Sequence, residues 1–145
     1  MPRVVYPFTR FTYPDGSREH RAYTRLPLRI RNPASGLVLV TWGLLDTGAD
    51  LTLLPAELAV RLGHKLKHGR TSITGGIEQT DLVAYAHTFE IELLSANLKR
   101  VLWTTGPREF DCLESDPPIL IGVEDFLHSF RLLVDYPAQQ LVLRW

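Results

Sequence analysis

Apolar and polar residues alternate through long stretches of this chain, a period of two that predicts strands. Residues 4 to 31 read as extended segments: Val4 to Thr12, a turn at Tyr13-Pro14-Asp15-Gly16-Ser17, then Arg18 to Arg31, where Leu26, Leu28 and Ile30 alternate with Arg25, Arg29 and Arg31. The expectation is a hairpin with one wet face carrying the arginines. Asn32-Pro33-Ala34-Ser35-Gly36 is a cluster of turn residues. Leu37 to Leu45, with Trp42 inside it, is nearly all apolar and reads as a strand buried on both faces. Leu54 to Gly63 breaks the alternation: Pro55 suits a first helical position, Leu54, Leu58 and Leu62 share a face, and Gly63 suits the residue past the end.

Residues 70 to 94 predict a long hairpin, with Gly75-Gly76-Ile77-Glu78 near its tip and Phe89, Ile91 and Leu93 alternating with Glu90 and Glu92. Lys99 to Thr105 reads as a further strand, Gly106 to Pro118 as an irregular acidic loop, and Ile119 to Ile121 as an apolar strand. Gly122 to Ser129 reads as a short helix, and residues 131 to 145 as two terminal strands around Pro137-Ala138. Many short strands with one or two small helices predict a mostly-β closed barrel, and 145 residues suffice for one domain spanning 1–145.

Composition removes several classes of function. Sixteen basic and sixteen acidic residues give no net charge, so nothing global points to nucleic acid or an anionic membrane. The one cysteine, Cys112, cannot form an internal disulfide. No apolar run is long enough to span a membrane and Met1 to Val5 lacks a signal-peptide core, so the expectation for the stretch given is a soluble cytoplasmic protein. His64 and His68 have the spacing of helical metal ligands, but Gly63 ends the helix and no third ligand is near, so no metal is expected. The acids of 106–118 lack the spacing of a calcium loop.

The stretch arranged for chemistry is Leu44-Leu45-Asp46-Thr47-Gly48-Ala49-Asp50-Leu51-Thr52-Leu53-Leu54, a carboxylate set between two apolar runs at an abrupt turn. A shielded carboxylate is costly unless it is hydrogen-bonded or shares its proton, so its placement suggests use. The triplet alone is also what an Asx-type turn capping a hairpin contains.

These eleven residues resemble the active-site segment of the retropepsin-like aspartic proteases, and Ile119-Leu120-Ile121-Gly122 resembles the second motif of that family, in the same order. The resemblance implies an aspartic endopeptidase without cofactor or metal, acting on a peptide or protein substrate. One motif per chain implies a homodimer that brings two Asp46 residues together. It implies that Asp46, Thr47 and Gly48 form the catalytic turn, and that Ala49 and Asp50 contact substrate. Residues 70–94 become a flap whose tip includes Gly75, Gly76 and Ile77, and Thr52 and Gly122 support the turn. The helix after the turn is similar to that of bacterial and cellular members. Retroviral members carry Arg after the second glycine, whereas this chain has Val123-Glu124 and so lacks the expected partner of Asp50. Asp81, Asp111, Asp125 and Asp135 read as turn or surface residues. Two other readings stand beside this one: a non-catalytic dimeric module that binds peptides or supports assembly on the same fold, and a phosphohydrolase using Asp46 and Asp50 as magnesium ligands, which would need further acids and a phosphate loop.

Overall fold

The structure is a computed structural model that describes residues 1–11, 14–16, 21–75, 81–115 and 117–145. Its elements run β1 (Arg3–Pro7), β2 (Thr9–Phe11), β3 (Arg21–Tyr23), β4 (Arg25–Arg31), β5 (Val38–Leu45), β6 (Leu53–Pro55) and α1 (Ala56–Arg61). A 3-10 turn at Leu66–His68 leads to β7 (Arg70–Gly75), β8 (Asp81–Leu94), β9 (Val101–Leu113) and β10 (Leu120–Ile121). A second 3-10 turn at Leu127–Ser129 precedes β11 (Arg131–Asp135) and β12 (Gln140–Arg144).

The main sheet has the order β4-β5-β10-β6-β9-β8-β7, and an added β4–β8 pairing closes its first six strands into a ring, the mostly-β closed architecture expected. Strand β8 makes this closure possible because it is long: its first half pairs with β7 and its second half with β4 along the same edge. Leu26, Leu28, Ile30, Phe89, Ile91 and Leu93 point into the ring and are completely buried, as their alternation predicts. A second sheet, β1-β12-β11, joins the two ends of the chain, with Arg3 opposite Arg144. Trp103, Phe126, Phe130 and Trp145 link the two sheets by edge-on and stacked contacts, with ring centroids 4.8 to 5.7 Å apart.

Several expectations need correction. Val4 to Arg31 is not one hairpin: β1 pairs with β12, β4 with β5 and β8, and only the short β2 and β3 face each other. Alternation identifies a strand's inner face but not its partner. The arginine face is not simply solvated, because Arg29 and Arg31 both reach Glu92, which is buried. Strand β5 is not buried on both faces: Val38, Val40 and Trp42 are exposed. The helix is shorter than expected, with Pro55 outside it as the last residue of β6 in extended conformation. Gly63 does follow the helix, at φ +91°.

Residues 106 to 113 are strand rather than loop. Gly106 takes φ +65° where the β8–β9 register shifts, and Thr105 Oγ1 accepts a hydrogen bond from the Ile91 N–H at 3.0 Å. The apparent breakers Gly106 and Pro107 therefore sit at a bulge within one continuous strand. Gly122 to Ser129 is a turn followed by a single 3-10 turn, leaving α1 as the one α-helix among the described residues. No described helix is long and apolar enough to cross a membrane.

Candidate active site

Strands β5 and β10 run parallel, Leu44 beside Leu120 and Leu45 beside Ile121, and Asp46 follows at their common end. Its backbone N–H donates to the Ile121 carbonyl at 3.1 Å, and the Leu44 N–H donates to that of Ile119 at 2.8 Å. The chain then turns sharply. The Gly48 N–H donates to Asp46 Oδ1 at 2.9 Å and the Ala49 N–H to the Asp46 carbonyl at 3.2 Å, so the carboxylate is fixed by the turn that it caps. Asp46 is half-buried in the single chain, not shielded as its apolar flanks suggest, and Thr47, Gly48 and Asp50 are exposed.

The two sequence motifs are clasped together by backbone. Val123 N–H donates to the Ala49 carbonyl at 2.9 Å and Glu124 N–H to the Asp50 carbonyl at 2.8 Å. Gly122 passes so close beneath the turn that a Cβ there would lie 2.3 Å from the Leu51 carbonyl carbon. Only glycine permits that approach. The Gly122 N–H donates to Thr52 Oγ1 at 3.0 Å, and Thr52 is completely buried.

Below this crossing lies a residue that the sequence reading placed on the surface. Asp125 is buried, accepts from the Thr52 N–H at 3.0 and 2.9 Å on its two oxygens, and accepts from the Thr52 hydroxyl at 2.7 Å. Arg108 Nη1 donates to its carbonyl at 3.1 Å. Asp125 thus hangs the far end of the turn from the second motif. The available signal was its position three residues after Gly122, hidden by the expectation of a positive charge next to the glycine. Among the described residues, no side chain pairs with the Asp50 carboxylate.

Asp46, Gly48, Ala49 and Asp50 line an open cleft whose apolar wall is Leu51, Leu53 and Leu120 and whose far side carries Thr74 and Gly75 of β7. Gly75 faces Asp81 across the hairpin, and Gly76 and Ile77 lie outside the described residues. Asp111, also read from sequence as a surface residue, belongs to this cleft too, and burial raises its carboxyl above the ordinary carboxylate range against the lowering effect of Arg70.

A second hollow lies by Asn32, His64, His68, Arg70 and His87. His64 Nε2 sits 2.9 Å from the Thr88 carbonyl and His87 Nε2 2.8 Å from that of Leu66, with the two rings 4.6 Å apart. Both imidazoles are engaged by backbone, and burial pushes the His64 pKa down. Cys112 is fully buried, and burial pushes its thiol up to about 12.

No family model matches the sequence, and no curated protein matches it. Solved structures do match in shape. A retropepsin-like aspartic protease from Rickettsia conorii superposes with a TM-score of 0.62 at 17% identity, covering 98% of this chain and 89% of that one. EIAV protease in complex with an inhibitor gives a TM-score of 0.44 at 19% identity, covering 74% of this chain and 86% of the other. The ring of strands, the turn at Asp46 and the glycine crossing beneath it thus belong to a chain that has the retropepsin-like aspartic-protease fold.

Proposed function

We propose that this protein is an aspartic endopeptidase that cuts extended peptides at apolar positions, with an active site formed by two Asp46 residues across a homodimer. The observation that carries this reading is the setting of Asp46: a carboxylate at a paired strand end, held from one side by the Gly48 N–H and facing an open cleft. Amide hydrolysis by carboxylates needs two of them, and one turn per chain supplies one. Two crowded carboxyls cannot both ionise cheaply, so the pair shares a proton over a pH range that belongs to the pair. The ionised member takes a proton from water as it attacks the carbonyl. The protonated member hydrogen-bonds the carbonyl oxygen and later supplies the proton for the leaving nitrogen.

Thr47, exposed beside Asp46, hydrogen-bonds across the two-fold axis in this arrangement. Gly48, Ala49 and Asp50 accept the substrate backbone, and the β7–β8 hairpin acts as a flap with Gly75, Gly76 and Ile77 at its tip. Thr52 and Gly122 hold the turn from below. Leu51, Leu53 and Leu120 in the cleft wall favour large apolar side chains flanking the cut. For the dimer, the terminal sheet offers a row of apolar residues on its outer face: Val5, Val142 and Leu133 align across three strands, and Val5 and Leu133 are exposed.

The test is cleavage of apolar peptides by the parent and by Asp46→Asn. The variant is expected to fold and dimerise but to lose cleavage, and parent activity per chain is expected to fall on dilution. Equal cleavage by the asparagine variant removes Asp46 from the chemistry. A folded dimer that binds peptides, cleaves none, and shows no preference for a hydroxyl-bearing mimic of the tetrahedral intermediate identifies a non-catalytic binding or assembly module instead.

A further inference from the structure

Asp111 lies on β9 opposite Leu53 of β6, Leu53 lies opposite Leu120 of β10, and Leu120 lies beside Leu44 of β5. Asp111 is thus three strands away from the strand that ends at Asp46. In a closed ring of six strands, three steps place it on the wall opposite the strand that delivers Asp46. Both carboxylates line the same cleft.

Asp111 differs from the other acids around it in being unused. Glu109 is paired with Arg70 at 2.8 Å, and Asp125 is saturated by Thr52. Among the described residues, Asp111 accepts no side-chain hydrogen bond and joins no ion pair, although it also lines a neighbouring hollow with Arg70 and Arg108 and feels the charge of Arg70, which is itself paired with Glu109. The cleft itself is lined by Asp46, Asp50 and Asp111 and, among the described residues, by no cation. A half-buried carboxylate on a wall that is otherwise leucine and backbone gains most from an incoming cation, because charge-assisted hydrogen bonds strengthen as water is displaced.

We propose that Asp111 is a specificity-determining residue of this cleft, selecting a lysine or arginine side chain at one substrate position outside the pair that flanks the bond that is cut. The inference rests on the endopeptidase reading and adds a basic outer requirement to its apolar inner one. Asp111 takes no part in the bond-breaking step.

The test is a set of peptides with one fixed apolar cutting site, in which lysine, methionine or glutamate is placed in turn at each outer position. The parent enzyme is expected to show, at one outer position, a kcat/KM about tenfold higher for lysine than for methionine, the ratio that one good charge-assisted contact supplies. Glutamate is expected to be the worst of the three. In Asp111→Asn the lysine-to-methionine ratio is expected to collapse to about one, and in Asp111→Lys the order is expected to invert in favour of glutamate. Cleavage that depends on Asp46 but shows no lysine advantage at any position, or one that survives in Asp111→Asn, overturns the assignment and leaves the endopeptidase reading standing. Absence of cleavage of every peptide, or cleavage unaffected by Asp46→Asn, overturns both.

Discussion

Asp125 receives both the N–H and the hydroxyl of Thr52, and Thr52 in turn receives the N–H of Gly122. Asp125→Ala leaves two buried donors unmatched and is expected to lower stability by about 2 to 4 kcal/mol, read from denaturant midpoints. Combined with Thr52→Val, the loss is expected to be less than additive, because both changes remove the bond from the Thr52 hydroxyl to Asp125. Gly122→Ala drives a methyl group into the Leu51 carbonyl and is expected to cost about 3 kcal/mol by overpacking against backbone. Asp111 behaves in the opposite sense. Its carboxyl is raised above the ordinary 3.8 by burial, so the folded protein holds that proton more tightly than the unfolded chain and the ionised form is a liability. The liability is full above the folded pKa and disappears as pH falls through it toward the unfolded value. Asp111→Asn is therefore expected to raise stability at neutral pH by less than about 1 kcal/mol, since the group is half exposed, with the gain vanishing in acid. Thermal melts of the two proteins across pH 3 to 7 check the sign. A gain that grows in acid contradicts it.

At the scale of elements, legibility followed from how local the signal was. The Asp46 turn, the second motif, the β7–β8 hairpin and the terminal pair could be read because each is written in neighbouring residues: Gly48 returns to Asp46 within two positions, and Arg131–Asp135 faces Gln140–Arg144 across a short turn. What escaped was set by distant partners. Gly106 and Pro107 look like a loop until β8 is laid beside them and the bulge absorbs both. Strand β5 looks doubly buried until the side chains of Val38, Val40 and Trp42 prove to have nothing folded over them among the described residues. Glu92 looks like the outward half of an alternation, yet β4 pairs beside it and supplies Arg29 and Arg31, the latter with a buried Nε that has no partner among the described residues. Asp111 and Asp125 look like scattered acids because Leu53 and Thr52, which give them their settings, lie far away in sequence. The β4–β8 contact carries its own prediction. Glu92→Ala strands two partly buried guanidinium groups and is expected to cost about 2 to 3 kcal/mol, whereas Glu90→Ala on the same strand is expected to cost well under 1 kcal/mol.

For the molecule as a whole, the proposed activity depends on a contact between copies, and the outer face of the terminal sheet can be tested without touching the cleft. Leu133→Asp places a charge in the exposed row with Val5 and Val142 and is expected to shift the protein to monomer in sedimentation, with a circular dichroism spectrum like the parent's and cleavage lost. A fully active monomer excludes the shared pair. The suspension of the Asp46 turn from Ile121 and of Thr52 from Asp125 also has a consequence in time. Chains dominated by such distant pairings fold slowly, on the scale of milliseconds to seconds, and a ribosome releases residues in order at about 5 to 20 per second. When Asp46 emerges, the strand and carboxylate that give its turn a shape have not been made. The proposed active site therefore has no support until residues 119 to 125 have followed it, and the order of translation itself separates the making of the Asp46 turn from the moment it could take on the proposed role.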